Sequence, residues 1–476
     1  MIFFKSLTTN NKILKNFSVL TLSNAFTQFL LIFTSIKIAR SLDPLLFGTY
    51  NLLQLHISIF VVIASFGLRN IIIRSIARDK TIVKKIFLIS MLIRAGGFFL
   101  SIFLFCSFFF LYGSYDTLLF ILVMQCILST VIFDVLESIA FGLEKMEFSG
   151  IINFLSTLFW LLTILLIPKN QISLHLIFGL LVFFNSVKTI IYFFSIYKTN
   201  YIKGFSAQNI DRVEVVSFIK ECFPYYYLGL FTLLSNQIPL LFLQYRSGVE
   251  QIGFFNIASK VLMPINLVLT TALAAIFPNL SRLFVANYPQ FIKNVKLIFI
   301  LIALFSITGA FGVTLFRQEV IHLMYGEKYV SSSLVLGYQC WYIAVYSCVC
   351  LIGTILGAIN RQKQLSYMSI VCTVIQVPIL WYGSKYGAQY LSAAFLVATS
   401  ITFIIHIYVI NFYLKYDLSY FFYIKILVIY IIAYAISLLT PVHFSFLNKV
   451  IIFLFISSIA AYFLYQKFIL SIKNLV

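Results

Sequence analysis

The chain has 476 residues, 62% of them apolar and 10% charged, and carries a formal charge of +20 from 34 Lys and Arg against 14 Asp and Glu. A soluble domain holds roughly 45–50% apolar and about 25% charged residues, so a soluble enzyme, a disordered scaffold and a nucleic-acid-binding module are excluded. A mean hydropathy of +1.02 points to an all-α polytopic membrane protein, with the basic surplus in loops on one side and in the membrane interior.

A helix needs about 20 apolar residues to cross roughly 30 Å of hydrocarbon. Cutting the chain at charge, Gly and Pro clusters predicts fourteen spans, at 16–38, 48–68, 86–112, 117–140, 149–167, 174–197, 225–245, 253–277, 297–316, 334–357, 366–383, 390–413, 422–440 and 449–470. The first apolar run has no small-residue cleavage site behind it and reads as a retained span. Between the second and third spans lies the densest basic run, Arg69 to Lys85, expected to rest against anionic headgroups. The segment Lys198–Pro224 is the longest internal linker, and its Val213, Val216, Phe218 and Ile219 predict an interfacial amphipathic helix.

With the N-terminus inside, the inner segments hold 22 Lys and Arg and the outer ones seven, the other five lying within spans. That bias sets the orientation, and an even span number returns the C-terminus to the cytoplasm.

Phe47-Gly48-Thr49-Tyr50-Asn51 is echoed by Ile252-Gly253-Phe254-Phe255-Asn256, and Gly142-Leu143-Glu144-Lys145 by Ala358-Ile359-Asn360-Arg361. The repeat unit is therefore six spans, and an even number keeps both copies in the same orientation about an axis along the membrane normal. The expected organisation is a six-helix bundle at 1–200, a cytoplasmic linker at 201–224, a second six-helix bundle at 225–415, and two further helices at 416–476. A cavity between the two bundles is expected, and transport is its natural use.

Ionisable residues inside spans are costly and face protein or water. This chain places Lys37, Arg94, Lys188, Lys260 and Lys425 there, against Asp134 and Glu137, a balance of +5 to −2. A cationic, partly dehydrated cleft suits a phosphate or an acidic sugar and suits a cationic drug badly. Lys260 stands about 10 Å below the outer surface, seven residues at 1.5 Å each from Gly253, and shares a polar stripe with Asn256 and Thr271. Lys188 lies mid-span. Lys37 is near enough to the outer edge to snorkel, and Lys425 reads as an interfacial anchor. Arg94 lies opposite Asp134 and Glu137 in an antiparallel span. Those groups form a structural pair, or Arg94 faces the cleft, or the carboxylates are a proton or Na⁺ site that couples transport. Thr21, Asn24, Gln28 and Ser35 make one polar face on the first span, where Asn24 and Gln28 would meet sugar hydroxyls. His56 and His406 read as buried hydrogen-bonders, and Pro239, Pro264 and Pro378 as kinks or hinges.

There is no nucleophile–base constellation, no metal cluster, no Gly-rich phosphate loop and no cofactor motif. The expectation is therefore a non-enzyme that does not hydrolyse ATP by a Walker route. A membrane glycosyltransferase or polymerase would need a large extramembrane loop, and the longest outer one, 317–333, is short.

The stretch Ile38-Ala39-Arg40-Ser41-Leu42-Asp43-Pro44-Leu45-Leu46-Phe47-Gly48-Thr49-Tyr50 resembles the first junction of the polysaccharide-repeat-unit (Wzx-type) flippases. Ile252 to Lys260 and Phe277-Pro278-Asn279-Leu280-Ser281 resemble their eighth span. The resemblance implies the multidrug/oligosaccharidyl-lipid/polysaccharide exporter superfamily, with twelve to fourteen helices and alternating access. It implies an undecaprenyl-pyrophosphate-linked oligosaccharide, an O-antigen or other surface repeat unit, moved from the cytoplasmic to the outer leaflet. Membrane lipid and the polymerase and ligase of the same glycan pathway would be the partners. Lys260 falls where related lipid II flippases carry a cavity arginine. The alternative is an ion-coupled multidrug or cation antiporter of the same fold, resting on Asp134 and Glu137.

Overall fold

A computed structural model of the chain describes residues 2–112, 116–198, 212–414, 428–436, 447–455 and 457–458. No strand occurs among the described residues. The helices are α1 (Ile2–Ser41), α2 (Pro44–Ser65), α3 (Leu68–Arg78), α4 (Val83–Tyr112), α5 (Thr117–Gly142), α6 (Met146–Leu166), α7 (Leu174–Tyr197), α8 (Arg212–Ser247), α9 (Val249–Ala286), α10 (Tyr288–Leu315), α11 (Arg317–Tyr325), α12 (Ser332–Ala358), α13 (Gln362–Ser384) and α14 (Ala388–Tyr413). Among the described residues eleven helices are long and apolar enough to cross a membrane, and bent α8 makes a twelfth. Helix is the only open-ended way to satisfy backbone polar groups in lipid. The first twelve expected spans coincide with α1, α2, α4 to α10 and α12 to α14.

The thirteenth and fourteenth expected spans lie mostly outside the described residues, as does Lys425. The described pieces are helical. Tyr430 donates to the Ala344 carbonyl at 2.8 Å and lies 2.7 Å from Ser306 Oγ. Lys449, 3% exposed, forms an ion pair with Glu319 of α11.

The chain divides into two compact units, Met1–Ile238 and Pro239–Val476. The boundary falls inside α8, which bends by 45° between Phe231 and Asn236. Proline at 239 cannot donate to the carbonyl four residues back, which frees the backbone at this place. The expected linker is thus partly helix, since residues from Arg212 onward already belong to α8. The four residues read as one amphipathic face diverge: Val213 and Val216 are exposed, while Phe218 and Ile219 pack on the core of the first unit.

The basic run after the second span also departs from the loop expected there. Phe66 and Gly67 take left-handed φ values of 51° and 69° and end α2, and α3 follows at once. Leu68, Ile71, Ile72 and Ile76 recur at helical spacing and are fully buried. They pack against Ile86, Phe87 and Ile89 of α4 and Val135, Leu136 and Ile139 of α5. A side chain at Gly67 would meet the Tyr226 amide at 2.5 Å, so that position needs glycine for contact as well as for φ.

The internal repeat has a geometric counterpart. Asn51 and Asn256 each donate a side-chain amide to the carbonyl four residues back, Phe47 at 2.7 Å and Ile252 at 3.0 Å. Glu144 and Asn360 both sit at φ 61°. Around them the bonds match: Glu144 N to Phe141 O and Lys145 N to Ala140 O in one turn, Asn360 N to Gly357 O and Arg361 N to Leu356 O in the other. Both are helix ends closed by a left-handed residue.

Small residues let two helix pairs touch through their backbones. A Cβ at Gly97 of α4 would lie 2.7 Å from the Ala64 carbonyl of α2. One at Gly383 of α13 would lie 2.9 Å from the Tyr390 carbonyl and 2.5 Å from the Ala394 Cβ of α14.

Candidate functional site

In the first unit, α4 and α5 run antiparallel and bring Arg94 to Asp134. Arg94 is 2% exposed. Its guanidinium bonds one carboxylate oxygen of Asp134 and donates to the Val131 carbonyl at 3.3 Å. The partner of Glu137 is different. Arg69, from α3, places Nη1 2.8 Å from Asp134 Oδ1 and 2.8 Å from Glu137 Oε2. Asn153 of α6 donates to the other Glu137 oxygen at 2.9 Å. Four helices therefore close one network of two guanidiniums and two carboxylates, formally neutral. Burial opposes the charged form of Arg69, but Glu137 and Asp134 prevail and hold its pKa above the ordinary arginine value.

The structure thus brings together Arg94, Asp134 and Glu137, with Arg94 reaching Asp134 and not Glu137. Arg69 and Asn153 had not been expected there. The sequence places Arg69 in the basic loop run; the signal for its helix is the apolar period of 68–76 together with Gly67, which marks a helix where the basic run suggests solvent. Lys188, on α7, lies over the Phe133 ring with Nζ 3.7 Å from the centroid. That is a cation–π contact, made one helical residue from Asp134, and Lys188 has no ion pair among the described residues.

The remaining first-unit candidates are on α1, which packs along α6. Asn24 is exposed and Gln28 half-buried. Gln28 Oε1 is buried with no hydrogen-bond partner among the described residues. Lys37 donates to the Leu165 carbonyl at 3.4 Å, where its charge meets the C-terminal end of α6 and the dipole there.

In the second unit, Lys260 is half-buried on α9. Among the described residues it makes no ion pair, hydrogen bond or cation–π contact. The polar groups near it along α9 are neutral and bond elsewhere. Ser259 donates to Gln339 Oε1 of α12 at 3.1 Å, and Gln339 Nε2 donates to the Phe255 carbonyl at 3.2 Å. Asn256 spends one amide donor on its own helix, and Thr271 bonds the Leu267 carbonyl. Gln339 was not expected from the sequence, where a lone Gln in an apolar run carries no signal. His406 bonds the Thr402 carbonyl at 2.8 Å.

The arrangement carries fixed positive charge at membrane depth, on Lys188 and Lys260. It leaves the two membrane carboxylates neutralised by arginines. Within its own unit each lysine can attract an anion.

Residues 13–284 match the sequence model of a family described as polysaccharide biosynthesis protein. No curated protein gives a match. Solved structures share the fold. The inward closed conformation of the lipid II flippase MurJ is 17% identical, over 94% of this chain and 99% of that one, with a TM-score of 0.68. An inward-facing multidrug resistance MATE family transporter of the MOP superfamily is 15% identical, over 83% of this chain and 96% of its own, with a TM-score of 0.61. A mutant of the Vibrio cholerae MATE transporter VcmN is 16% identical, over 87% of this chain and 100% of its own, with a TM-score of 0.55. At such identities the likeness establishes the fold.

Proposed function

The chain belongs to the polysaccharide biosynthesis protein family, and from that premise we propose that it is a flippase for a lipid-linked oligosaccharide joined through a pyrophosphate. The cargo is an undecaprenyl-pyrophosphate repeat unit of a surface polysaccharide such as O-antigen, moved from the cytoplasmic to the outer leaflet of the inner membrane by alternating access. Both termini are cytoplasmic in this reading, and the polymerase and ligase of the glycan pathway receive the product. The functional division is a bundle at 1–200, a linker at 201–224, a bundle at 225–415 and helices 416–476.

One observation carries the cargo assignment: Lys260 stands at membrane depth with no counter-ion among the described residues. In a partly dry path an unpaired ammonium interacts with a diphosphate far more strongly than in bulk water. Lys260 and Lys188 receive the diphosphate, Asn256, Asn24 and Gln28 contact sugar hydroxyls, and the tail stays in lipid. Arg94 acts by holding Asp134, and Lys37 by steadying the outer end of α1 against α6.

Coupling to a proton or Na⁺ at Asp134 and Glu137 requires one arginine to withdraw. Arg69 is the one able to do so, because its side chain is 41% exposed where that of Arg94 is 2% exposed.

The test is complementation. In a strain depleted of this chain, lipid-linked repeat units should accumulate on the inner leaflet while surface glycan is lost. A Lys188→Ala, Lys260→Ala double variant that reaches the membrane at normal level should fail to restore surface glycan. Full restoration would remove the cationic path. Proton-driven efflux of a cationic dye from vesicles would instead support the multidrug antiporter.

A further inference from the structure

With its apolar face sunk into the first unit and Arg69 drawn into the ion network, α3 leaves Arg74 and Arg78 on its outer side. They are four residues apart and share a face. Across from them α8 presents Glu221, Pro224 and Tyr225. Together with Ser75 these residues line an open concavity of about 620 Å³. Arg74 is held by Glu221, Nη2 to Oε2 at 2.6 Å. That contact fixes the direction of the guanidinium, and its other N–H groups have no hydrogen bond among the described residues. Arg78 is exposed and has no ion pair among the described residues. The lining sums to one positive charge, two arginines against one glutamate.

The flanks are apolar and face outward. Phe223 is 57% and Tyr227 65% exposed, both on α8 beside the concavity. A concavity of charge +1, with guanidinium donors on one wall, hydroxyls of Ser75 and Tyr225 at hand and exposed rings at the rim, complements a monoanionic phosphodiester that carries acyl chains.

We propose that the α3–α8 concavity is a binding site for the headgroup of an anionic bilayer phospholipid. Arg74 and Arg78 hold the phosphodiester, Ser75 and Tyr225 bond its oxygens or the glycerol beyond it, and Phe223 and Tyr227 lie against the acyl chains. The site is independent of the transport reading, because it uses none of Lys188, Lys260 or the α4–α5 network.

The experiment uses the full purified chain in detergent with added phosphatidylglycerol or phosphatidylcholine. Bound lipid is counted by native mass spectrometry and thermal stability is followed in parallel. Phosphatidylglycerol should be retained and should raise the melting temperature in a salt-sensitive way, while phosphatidylcholine should do neither. In an Arg74→Gln, Arg78→Gln variant the retention should weaken about tenfold or more, two basic contacts being lost. An Arg282→Gln, Lys296→Gln variant with the same net charge should bind as the wild type does. Glu221→Gln removes the opposing charge from the lining and should tighten binding, a gain that a merely misfolded site cannot give. The proposal is overturned if both double variants lose lipid equally, which would mean general attraction to a basic protein. It is also overturned if Glu221→Gln weakens binding, or if undecaprenyl diphosphate binds here and phosphatidylglycerol does not.

Discussion

The two units treat polar groups at membrane depth in opposite ways. The first gathers four charges into one neutral network, Arg94, Asp134, Arg69 and Glu137, with Asn153 completing the Glu137 carboxylate, and sets Lys188 over the Phe133 ring. The second joins neutral groups, Ser259 to Gln339, Gln376 to Thr402 at 2.8 Å and Trp341 to Thr314 at 2.9 Å, and leaves Lys260 without a counter-ion among the described residues. Yet both units close a helix with the same left-handed turn and bond an asparagine to its own helix in the same manner. What the copies share is backbone geometry; what separates them is charge. A duplicated scaffold can hold its form while one half builds an ion-paired frame that the other lacks, each keeping one lysine outside any ion pair among the described residues.

The comparison breaks first at Arg94. Arg94→Ala leaves Asp134 short of a buried partner, and loss of one partner from a buried pair costs roughly 3–5 kcal/mol. Because Arg69 still faces Asp134, the lower end is expected, read as a fall in melting temperature. Replacing both partners, Arg94→Met with Asp134→Leu, should recover much of that loss, since the desolvated charges go together. Arg69→Gln should cost less than Arg94→Ala, its side chain being 41% exposed and its ion pairs screened by solvent. In the second unit, Gln339→Leu removes two hydrogen bonds that average about 0.6 kcal/mol each inside membranes. It should lower stability by about 1 kcal/mol and leave lipid-linked transport in place. If Gln339→Leu proves as damaging as Arg94→Ala, the contrast between the halves is wrong. The smallest effect should come from the matched turns. Glu144→Gly relieves a left-handed glutamate and should raise the melting temperature by an amount equivalent to about 1 kcal/mol. Asn360→Gly should do less, because asparagine tolerates that conformation.

Long apolar runs made the spans legible: α9 or α12 can be read directly because one physical demand, apolar length, decides them. The short helices α3 and α11 were not legible. Each is about half polar, and the arginines of α3 dilute its apolar period until it resembles a charged loop. The Arg94–Asp134 pair could be anticipated from matching depth on antiparallel neighbours. Arg69 could not, since its place depends on how Gly67 turns the chain and not on local composition. The sequence places Lys260 on a polar stripe with Asn256 and Thr271, whereas the bond from Ser259 to Gln339 follows from the packing of α9 on α12, which no spacing along α9 encodes. The sequence places Lys37 near the outer edge, and its carbonyl partner on α6 follows from the long α1–α6 contact.

Gly97 and Gly383 set a limit on how each unit can deform. Where the backbones of α2 and α4, or of α13 and α14, touch without intervening side chains, sliding either helix by a turn would drive a neighbouring Cβ through the opposite main chain. Ratchet-like displacement is thereby closed to both pairs. During a transport cycle each must travel as a fixed hairpin, and the flexing has to be taken up elsewhere, at breaks such as the proline-bent middle of α8.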